Sequence, residues 1–224
     1  MMKTDFVRRM ARSAVLATTL MTLMTTLMTT GAQAMKADTL TDNLSASTAG
    51  VETASGDTWL TASFGTDAAS YTLSDVTLLL DSTDSGTAAV SIYSDGLLSP
   101  GSLVGTLTSS ASIGNSLTPT TFSTSGLSLP ANATYWVVLQ ATAGSVDWAW
   151  TEDNSGTGVG YQGTWGISND AGATWFTDDT YPTQLSVEAA VANAATPEPD
   201  TLTMTFAGAL LVGVFFKTIK GGKR

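Results

Sequence analysis

Short runs of apolar and β-branched residues recur about every dozen positions through the middle of this chain, with Gly, Ser, Asn and Pro between them. This spacing predicts short antiparallel strands joined by turns, and no amphipathic helical pattern of ten or more residues interrupts it. The predicted strands are 59–64, 71–80, 88–93, 103–107, 120–122, 134–141, 146–151 and 184–189. We therefore expect an all-β domain over residues 59–191, an antiparallel β-sandwich of the jelly-roll kind.

Two of the predicted strands allow more detailed predictions. The run 71–80 contains five large apolar residues that cannot share one face by strict alternation, which indicates a bulge near Ser74. The run 134–141 is continuously aromatic and β-branched, which favours a central strand buried on both faces, with Trp136 in the core. Residues 35–58 are polar and small, and we expect a lead-in there with little structure or a single edge strand.

The first 34 residues have the pattern of a secretory signal peptide. Four basic residues precede an uncharged stretch, 13–30, that is rich in Ala, Leu, Met and Thr. The Ala-x-Ala motif of Ala32 and Ala34 follows, and it predicts cleavage that leaves Met35 as the first mature residue. An Arg-Arg pair in the basic segment leaves the twin-arginine route open as an alternative to general secretory export.

The C-terminus contains three features in order. A linker at 192–200 carries a Pro-Glu-Pro motif, residues 201–217 are largely apolar, and residues 218–224 form a basic tail. The apolar stretch predicts a short membrane-spanning helix, and the basic residues after it favour a cytoplasmic tail with the body outside the inner membrane. The residues that define the motif and the basic end are Pro197, Glu198, Pro199, Lys217, Lys220, Lys223 and Arg224.

This C-terminal arrangement resembles the PEP-CTERM sorting signal of Gram-negative bacteria over residues 196–224. The resemblance implies that an exosortase is the partner that removes the tail after export. The protein would then pass through a precursor anchored in the inner membrane and end at the cell surface, the outer membrane or the extracellular matrix. A plain C-terminal membrane anchor stays open as the alternative.

The body of the chain resembles the choice-of-anchor R domain of exported bacterial proteins. The segments that carry the resemblance are 59–64, 76–80, 90–95, 100–104, 135–139 and 147–150. That family takes its name from its alternative surface anchors, so the resemblance implies an exported β domain and supplies no catalytic residues.

The distribution of charge excludes several classes of function. The chain contains no His and no Cys, and residues 37–216 contain eighteen Asp and Glu but no Lys or Arg, which gives this body a formal charge of −18. Nucleic-acid binding needs cations against phosphate. Ser-His-Asp and Cys-His catalysis, zinc sites and disulfides need His or Cys. We therefore expect no nucleic-acid partner and none of these chemistries in the body.

Aromatic residues cluster late in the predicted domain. Trp148 and Trp150 share one face of a predicted strand, and we expect both to fill the core. Trp165, Trp175 and Tyr161 lie in sequence rich in Gly and Asp, where an exposed ring could stack on a sugar. A carbohydrate-binding module that uses these three residues on extracellular polysaccharide is therefore one candidate function.

Acidic residues in the turns are weak candidates for calcium. Asp81 with Asp84, and Asp178 with Asp179, supply the hard oxygens that calcium prefers, but neither pair fits the spacing of an EF-hand loop. Solvated acidic turns without a metal are the default expectation. We expect no cofactor, and a structural Ca²⁺ ion stays open.

Carboxylate pairs can also hydrolyse glycosidic bonds. Glu152 with Asp147 or Asp153 is the one pair flanked by aromatic residues, but its spacing identifies neither an acid nor a base. The sequence therefore predicts a non-catalytic, exported protein of the surface or the matrix.

Overall fold

The computed structural model describes residues 37–109 and 112–192, which belong to one compact unit that begins at Ala37. These residues form antiparallel β-strands and contain no helix, so the all-β prediction is confirmed. The strands are β1 (Ala37–Asp42), β2 (Thr48–Ser55), β3 (Trp59–Gly65), β4 (Tyr71–Asp81), β5 (Thr87–Asp95), β6 (Pro100–Leu107), β7 (Thr118–Leu129), β8 (Thr134–Ala143), β9 (Ser145–Thr151), β10 (Tyr161–Ser168), β11 (Phe176–Asp178) and β12 (Leu185–Val191).

The first sheet is arranged around the long strand β4. One edge of β4 pairs with β7, and the other edge pairs with β12 and then, at its C-terminal end, with β9. Strand β1 extends the sheet beyond β12, and β2 extends it beyond β9. The first sheet therefore has β1 and β2 at its outer ends.

The second sheet has β8 and β3 at its centre, in the order β11-β10-β3-β8-β5-β6. Alternate residues of β8, such as Val137 and Leu139, enter the core. On the opposite face, Trp136 and Val138 are only 2% and 3% exposed. The prediction of a central strand buried on both faces, with Trp136 buried, is confirmed.

Side chains from both sheets share one hydrophobic core. Full burial of each large apolar side chain contributes about 1.5–3 kcal/mol, so this shared core is the main force that holds the two sheets against each other. The largest side chains that the first sheet contributes are Leu40, Tyr71, Leu73, Leu78, Leu80, Leu129 and Trp148. The second sheet contributes Leu60, Phe64, Ile92 and Leu139.

Strand β4 contains the predicted bulge. Its register against β7 shifts between Leu73 and Asp75, and its register against β12 shifts at the same place. The extra residue, Ser74, resets the alternation of the strand. All five large apolar side chains of the predicted run can therefore point into one core, and each is buried.

Residues 37–58 differ from the sequence-based expectation. They form two strands, β1 and β2, where a lead-in with at most one edge strand was expected. Leu40 and Ala54 are completely buried, so both strands are part of the core-bearing domain. The pattern misled because small and polar residues occupy almost all of the other positions of β1 and β2, and these residues are common in loops as well as in strands.

Two other boundaries differ from the prediction. The short strand expected at 120–122 is part of the long strand β7, and β10 and β11 occupy the Gly- and Asp-rich stretch in which we predicted no strand. In β10 the glycines at 163 and 166 hid the strand pattern, since Gly is depleted in strands.

The predicted leader and tail lie outside the described residues. This applies to the signal peptide with Ala32 and Ala34, to the Pro-Glu-Pro motif and to the expected helix at 201–217. Among the described residues, no helix is long and apolar enough to cross a membrane.

Candidate functional site

Three aromatic side chains and one carboxylate surround an open cleft of about 140 Å³. The lining residues are Glu52 of β2, Trp150 of β9, Trp165 of β10, and Tyr181 of the loop between β11 and β12. We call this site the aromatic cleft. Glu52 and Trp150 belong to the first sheet and Trp165 to the second, so both sheets contribute to it.

Strand alternation places Glu52 and Trp150 in the cleft. Ala54 and Val146 pair across β2 and β9 and point into the core, and Glu52 and Trp148 form the next pair on the same face. Trp150 follows, opposite Gly50. On β9, Val146 and Trp148 are buried in the core, whereas Trp150 lines the cleft. On β2, Ala54 is buried in the core, whereas Glu52 lines the cleft.

Gly50 allows the indole of Trp150 to lie against β2. A Cβ atom at position 50 would come within 2.5 Å of the Trp150 ring, closer than real Cβ contacts allow. The backbone of the edge strand β2 therefore packs directly against this ring. Any larger residue at position 50 would displace the indole.

Trp165 is held in place by the neighbouring loop. It lies opposite Ala62, a core residue of β3, and its indole Nε1 donates a hydrogen bond of 2.6 Å to the carbonyl oxygen of Thr180. The backbone N–H of Thr180 in turn donates to the Asp178 carboxylate at 2.6 Å. Trp165, on one side of the cleft, is thus hydrogen-bonded directly to the loop that carries Tyr181.

Tyr181 completes the cleft in a constrained conformation. Its backbone φ is +60°, in the left-handed region that costs a non-glycine residue about 1–2 kcal/mol. Its ring lies 5.3 Å from the ring of Trp150, tilted by 59°, and the side chain is 50% exposed. Strained, exposed residues of this kind are concentrated at binding sites.

Two further hydrogen bonds fix this loop to the end of β9. The side-chain amide of Asn154 donates to the carbonyl of Asp179 at 2.9 Å, and the N–H of Thr151 donates to the carbonyl of Pro182 at 3.0 Å. These hydrogen bonds connect the loop that carries Tyr181 to the end of β9, the strand that carries Trp150. A preorganised site of this kind loses less conformational entropy when a ligand binds.

Among the described residues that line the cleft, Glu52 is the one carboxylate. It is partly buried, and within the described residues no donor forms a hydrogen bond to its carboxylate. The described residues also contain no Lys, Arg or His that could pair with it. The cleft therefore offers aromatic faces together with a negative charge that has no partner among the described residues.

The structure separates the three aromatic residues that the sequence grouped as sugar contacts. Trp165 lines the aromatic cleft, whereas Tyr161 lies beside Asn154 and Trp175 lies near Trp59 on the outer face of the second sheet. Trp150, expected in the core, lines the cleft; that expectation is wrong, whereas Trp148 is completely buried as predicted.

Tyr181 and Glu52 were not among the predicted site residues. No periodic pattern surrounds Tyr181, and its position beside Trp150 depends on how the loop crosses the end of β9. Glu52 lies in the stretch that we interpreted as a lead-in. The usable signal was an acidic residue in an alternating small-residue run, VETA, which is weak by itself.

Two of the four candidate calcium ligands, Asp84 and Asp178, accept hydrogen bonds from protein donors. The Asp84 carboxylate accepts hydrogen bonds from the N–H and hydroxyl of Ser145 and from the hydroxyl of Ser82, and these bonds lower its pKa. Asp178 accepts from the N–H and hydroxyl of Thr180, which likewise lowers its pKa, whereas Asp179 is exposed. Among the described residues, no group of three or more acidic side chains is placed to hold a metal.

Asp81 has different surroundings. It lies on β4 directly opposite Asp147 of β9, and its Oδ1 atom is buried without a hydrogen-bond partner. Burial raises the pKa of Asp81, and the adjacent Asp147 charge raises it further. This pair supplies two carboxylates and therefore at most four oxygens, fewer than the six to eight that calcium prefers.

The two carboxylates considered as partners of Glu152 in hydrolysis differ in their distance from it and in their surroundings. Glu152 follows the end of β9, five residues after Asp147, and at about 3.3 Å per residue their backbones are ~16 Å apart. Glycosidases need carboxyl groups about 5–9.5 Å apart. Asp153 accepts a hydrogen bond from the N–H of Ser155, and the Ser155 contacts lower its pKa, the opposite of what a general acid needs.

A scan against protein-family models finds no family that matches this chain, and a search of the curated proteins finds no match.

Proposed function

We propose that this chain is an exported, non-catalytic protein of the bacterial surface or extracellular matrix. The observation that carries the proposal is the combination of two terminal addressing segments with a body that has a formal charge of −18 and no cation. Such a body stays soluble outside the cell and is repelled by anionic surfaces. We also infer that its two sheets form a β-sandwich of the jelly-roll kind, as in choice-of-anchor R domains.

Delivery takes place in three steps. A signal peptidase cleaves after Ala34, the apolar stretch at 201–217 arrests in the inner membrane, and an exosortase cleaves near Pro197-Glu198-Pro199. The β domain then leaves the membrane for the surface or the matrix. The supporting features are the Ala-x-Ala motif, the order of the C-terminal segments and the final basic cluster.

The intact mass of the protein recovered from the surface and medium of its native host tests this route. We expect a species that begins at Met35 and ends near Pro197–Pro199. A Glu198→Ala variant should keep the tail and accumulate in the membrane fraction. A wild-type mass that retains Lys217–Arg224 would contradict sorting and would indicate a membrane-anchored protein with an external β domain.

A second function, carbohydrate binding, is favoured by the aromatic cleft. Trp150, Trp165 and Tyr181 present rings around a space that is open to solvent, and the faces of aromatic rings stack on the C–H faces of sugars. The exported location proposed above would bring this cleft into contact with extracellular polysaccharide. The loop hydrogen bonds that hold Trp165 and Tyr181 support a preformed site.

Affinity electrophoresis of the mature protein in gels that contain the host's polysaccharide tests this second function. We expect an affinity, measured by retardation, that falls about ten- to hundredfold in Trp165→Ala, because one large aromatic contact is worth roughly 1.5–3 kcal/mol. Gly50→Ala should also weaken binding, since it displaces the Trp150 ring without removing it. Trp175→Ala is the matched control and should be retarded like wild type. Equal retardation of all four proteins, or no retardation of wild type, would contradict binding in the cleft.

A further inference from the structure

We propose that the aromatic cleft recognises a sugar unit that carries a protonated amine, such as a hexosamine residue without an N-acetyl group. This inference rests on the carbohydrate binding proposed above and names the class of sugar. It is carried by the juxtaposition of Glu52 with the rings of Trp150, Trp165 and Tyr181.

The three rings suit both parts of such a unit. The face of an aromatic ring attracts C–H groups of the pyranose through dispersion and attracts a nearby ammonium group through the ring quadrupole. Trp is the most effective ring for the second contact, and two of the three rings are Trp. The arrangement therefore favours a cationic sugar over a neutral sugar of the same shape.

Glu52 supplies the charge that selects the amine. No donor of the described residues forms a hydrogen bond to its carboxylate. A neutral sugar that covered Glu52 would remove water from the carboxylate without providing an opposite charge, which is unfavourable. An ammonium group would instead form a charge-assisted hydrogen bond, about twice as strong as a neutral one.

The electrostatic potential around the cleft also favours a cationic ligand. The described residues contain sixteen Asp and Glu but no basic side chain, so the potential around the cleft is negative. A negative surface attracts cations and repels uronic acids or sulfated sugars. The partner polysaccharide should therefore carry free amines and few acidic groups.

The size of the cleft limits how much of the polymer it holds. A volume of about 140 Å³ is below the ~300–1,000 Å³ of sites that enclose drug-sized ligands. One sugar unit is therefore the recognised element, and the half-exposed ring of Tyr181 leaves the chain free to continue into solvent.

Calorimetric titration of the mature protein with four probes tests the inference. The probes are a glucosamine tetramer, the fully N-acetylated tetramer, a glucose tetramer and tetramethylammonium chloride. We expect the glucosamine tetramer to bind about tenfold or more tightly than either neutral tetramer. Glu52→Gln should lower affinity for the glucosamine tetramer by at least that factor, and it should not weaken binding of the acetylated tetramer, because the cost of covering an unpaired carboxylate is removed.

Glu152→Gln is the matched control. It removes the same charge from an exposed position beyond the end of β9 that does not line the cleft, so it should keep wild-type affinity for every probe. Equal loss in Glu52→Gln and Glu152→Gln would show a general charge effect and overturn recognition by Glu52. Thermal unfolding of each variant shows whether lost binding reflects lost folding.

The remaining outcomes separate this inference from the proposal beneath it. Equal binding of the acetylated and amino tetramers overturns selection of the amine and keeps carbohydrate binding. Binding of tetramethylammonium without any tetramer overturns both, because the cleft is then a cation site without sugar recognition. No binding of any probe overturns recognition of the amine, and retardation in gels that contain the host's polysaccharide then decides whether carbohydrate binding stands.

Discussion

The carboxylates of the turns and the carboxylates of the strands have opposite surroundings, although both belong to a domain whose described residues contain no cation. In the turns, carboxylates accept hydrogen bonds from nearby N–H and O–H groups. In strand β4, carboxylates face other carboxylates across the sheet. The comparison separates two ways in which negative charge is accommodated without salt bridges.

Asp84 and Asp170 represent the turns. Asp84 accepts hydrogen bonds from Ser145 and Ser82. Asp170 accepts from the N–H of Thr174 at 2.8 Å and from its hydroxyl at 2.6 Å, with a third bond from the Ser168 hydroxyl. These bonds favour the charged form and lower the pKa of both Asp84 and Asp170.

Asp75 and Asp81 represent the strands. Asp75 lies opposite Glu188, and Asp81 lies opposite Asp147. Burial raises the pKa of both Asp75 and Asp81, and the facing carboxylate raises it further in each case. Like charges directly opposite one another destabilise a sheet.

The difference follows from what the backbone has to offer. In a turn, N–H groups are free to point at a side chain, whereas in a central strand they are already used by the ladders on both sides. Only hydroxyls of neighbouring strands remain, such as the Thr53 hydroxyl that donates to Asp147. We therefore expect Asp84 and Asp170 to stabilise this domain, and Asp75 and Asp81 to oppose its stability.

The largest test of carboxylates that accept turn hydrogen bonds is Asp95→Ala; Asp95 is the last residue of β5, and its side chain faces the turn that follows. Asp95 accepts hydrogen bonds from the N–H groups of Leu97 and Leu98 and, at 2.9 Å, from the indole of Trp136. Both leucines have left-handed backbone conformations, and Trp136 is only 2% exposed. We expect a loss of about 2–3 kcal/mol, because a buried indole N–H loses a charged partner. Urea unfolding measures it.

Asp95→Asn is the control for that variant. It keeps one acceptor oxygen and should lose less stability than Asp95→Ala. If both variants unfold at the wild-type urea midpoint, the hydrogen bonds of Asp95 do not contribute to stability.

The next effect in size is that of Asp84→Asn, which should lower the unfolding temperature at pH 7. The native pKa of Asp84 is below its unfolded value of 3.8, so the ionised carboxylate contributes stability above that value and loses it as the pH falls through the native pKa. The gap from wild type should therefore close in acid. Thermal unfolding at pH 7 and at pH values below 3.8 measures it, and a gap that persists unchanged would contradict a role for the charge.

Asp81→Asn should have the opposite sign. The native pKa of Asp81 is above 3.8, so the carboxylate opposes folding at pH 7, and this penalty disappears as the pH falls through the native pKa toward the unfolded value. We expect a gain of up to about 1 kcal/mol at pH 7 that vanishes in acid. Asp57→Asn removes the same charge from an exposed turn and is the control. An equal gain in both variants would indicate general charge repulsion only.

Much of the fold was predictable because burial leaves a periodic trace. Five apolar residues in β4 required a bulge, and the aromatic run of β8 required a central position, and both are present. Strands β1 and β2 left little trace, because each has one completely buried apolar side chain, Leu40 or Ala54, among small polar residues. Their pairing is determined by partners ninety or more residues away along the chain.

The site was less predictable than the fold. Alternation correctly assigned Trp148 and Trp150 to one face, but it does not indicate where along a strand the core ends, so Trp150 was wrongly placed inside. Trp165 was selected for its Gly-rich surroundings and does line the cleft. Tyr181 reaches the cleft through a loop whose path no local pattern specifies. Sequence therefore predicts which face a residue belongs to better than it predicts which residues meet.

The smallest expected effect is that of Asp75→Asn, and it sharpens the comparison within the strand class. Glu188, which faces Asp75, already accepts a hydrogen bond of 2.8 Å from the Thr39 hydroxyl, so part of its charge is satisfied. We expect a gain of only about 0.2–0.5 kcal/mol at pH 7. Because the native pKa of Asp75 is raised, this gain should also vanish in acid.

Thr39→Val should enlarge the gain from Asp75→Asn, since the unsatisfied Glu188 would then repel Asp75 more strongly. A double-mutant cycle measured by urea unfolding tests this coupling, and strict additivity would show that the hydroxyl does not moderate the pair.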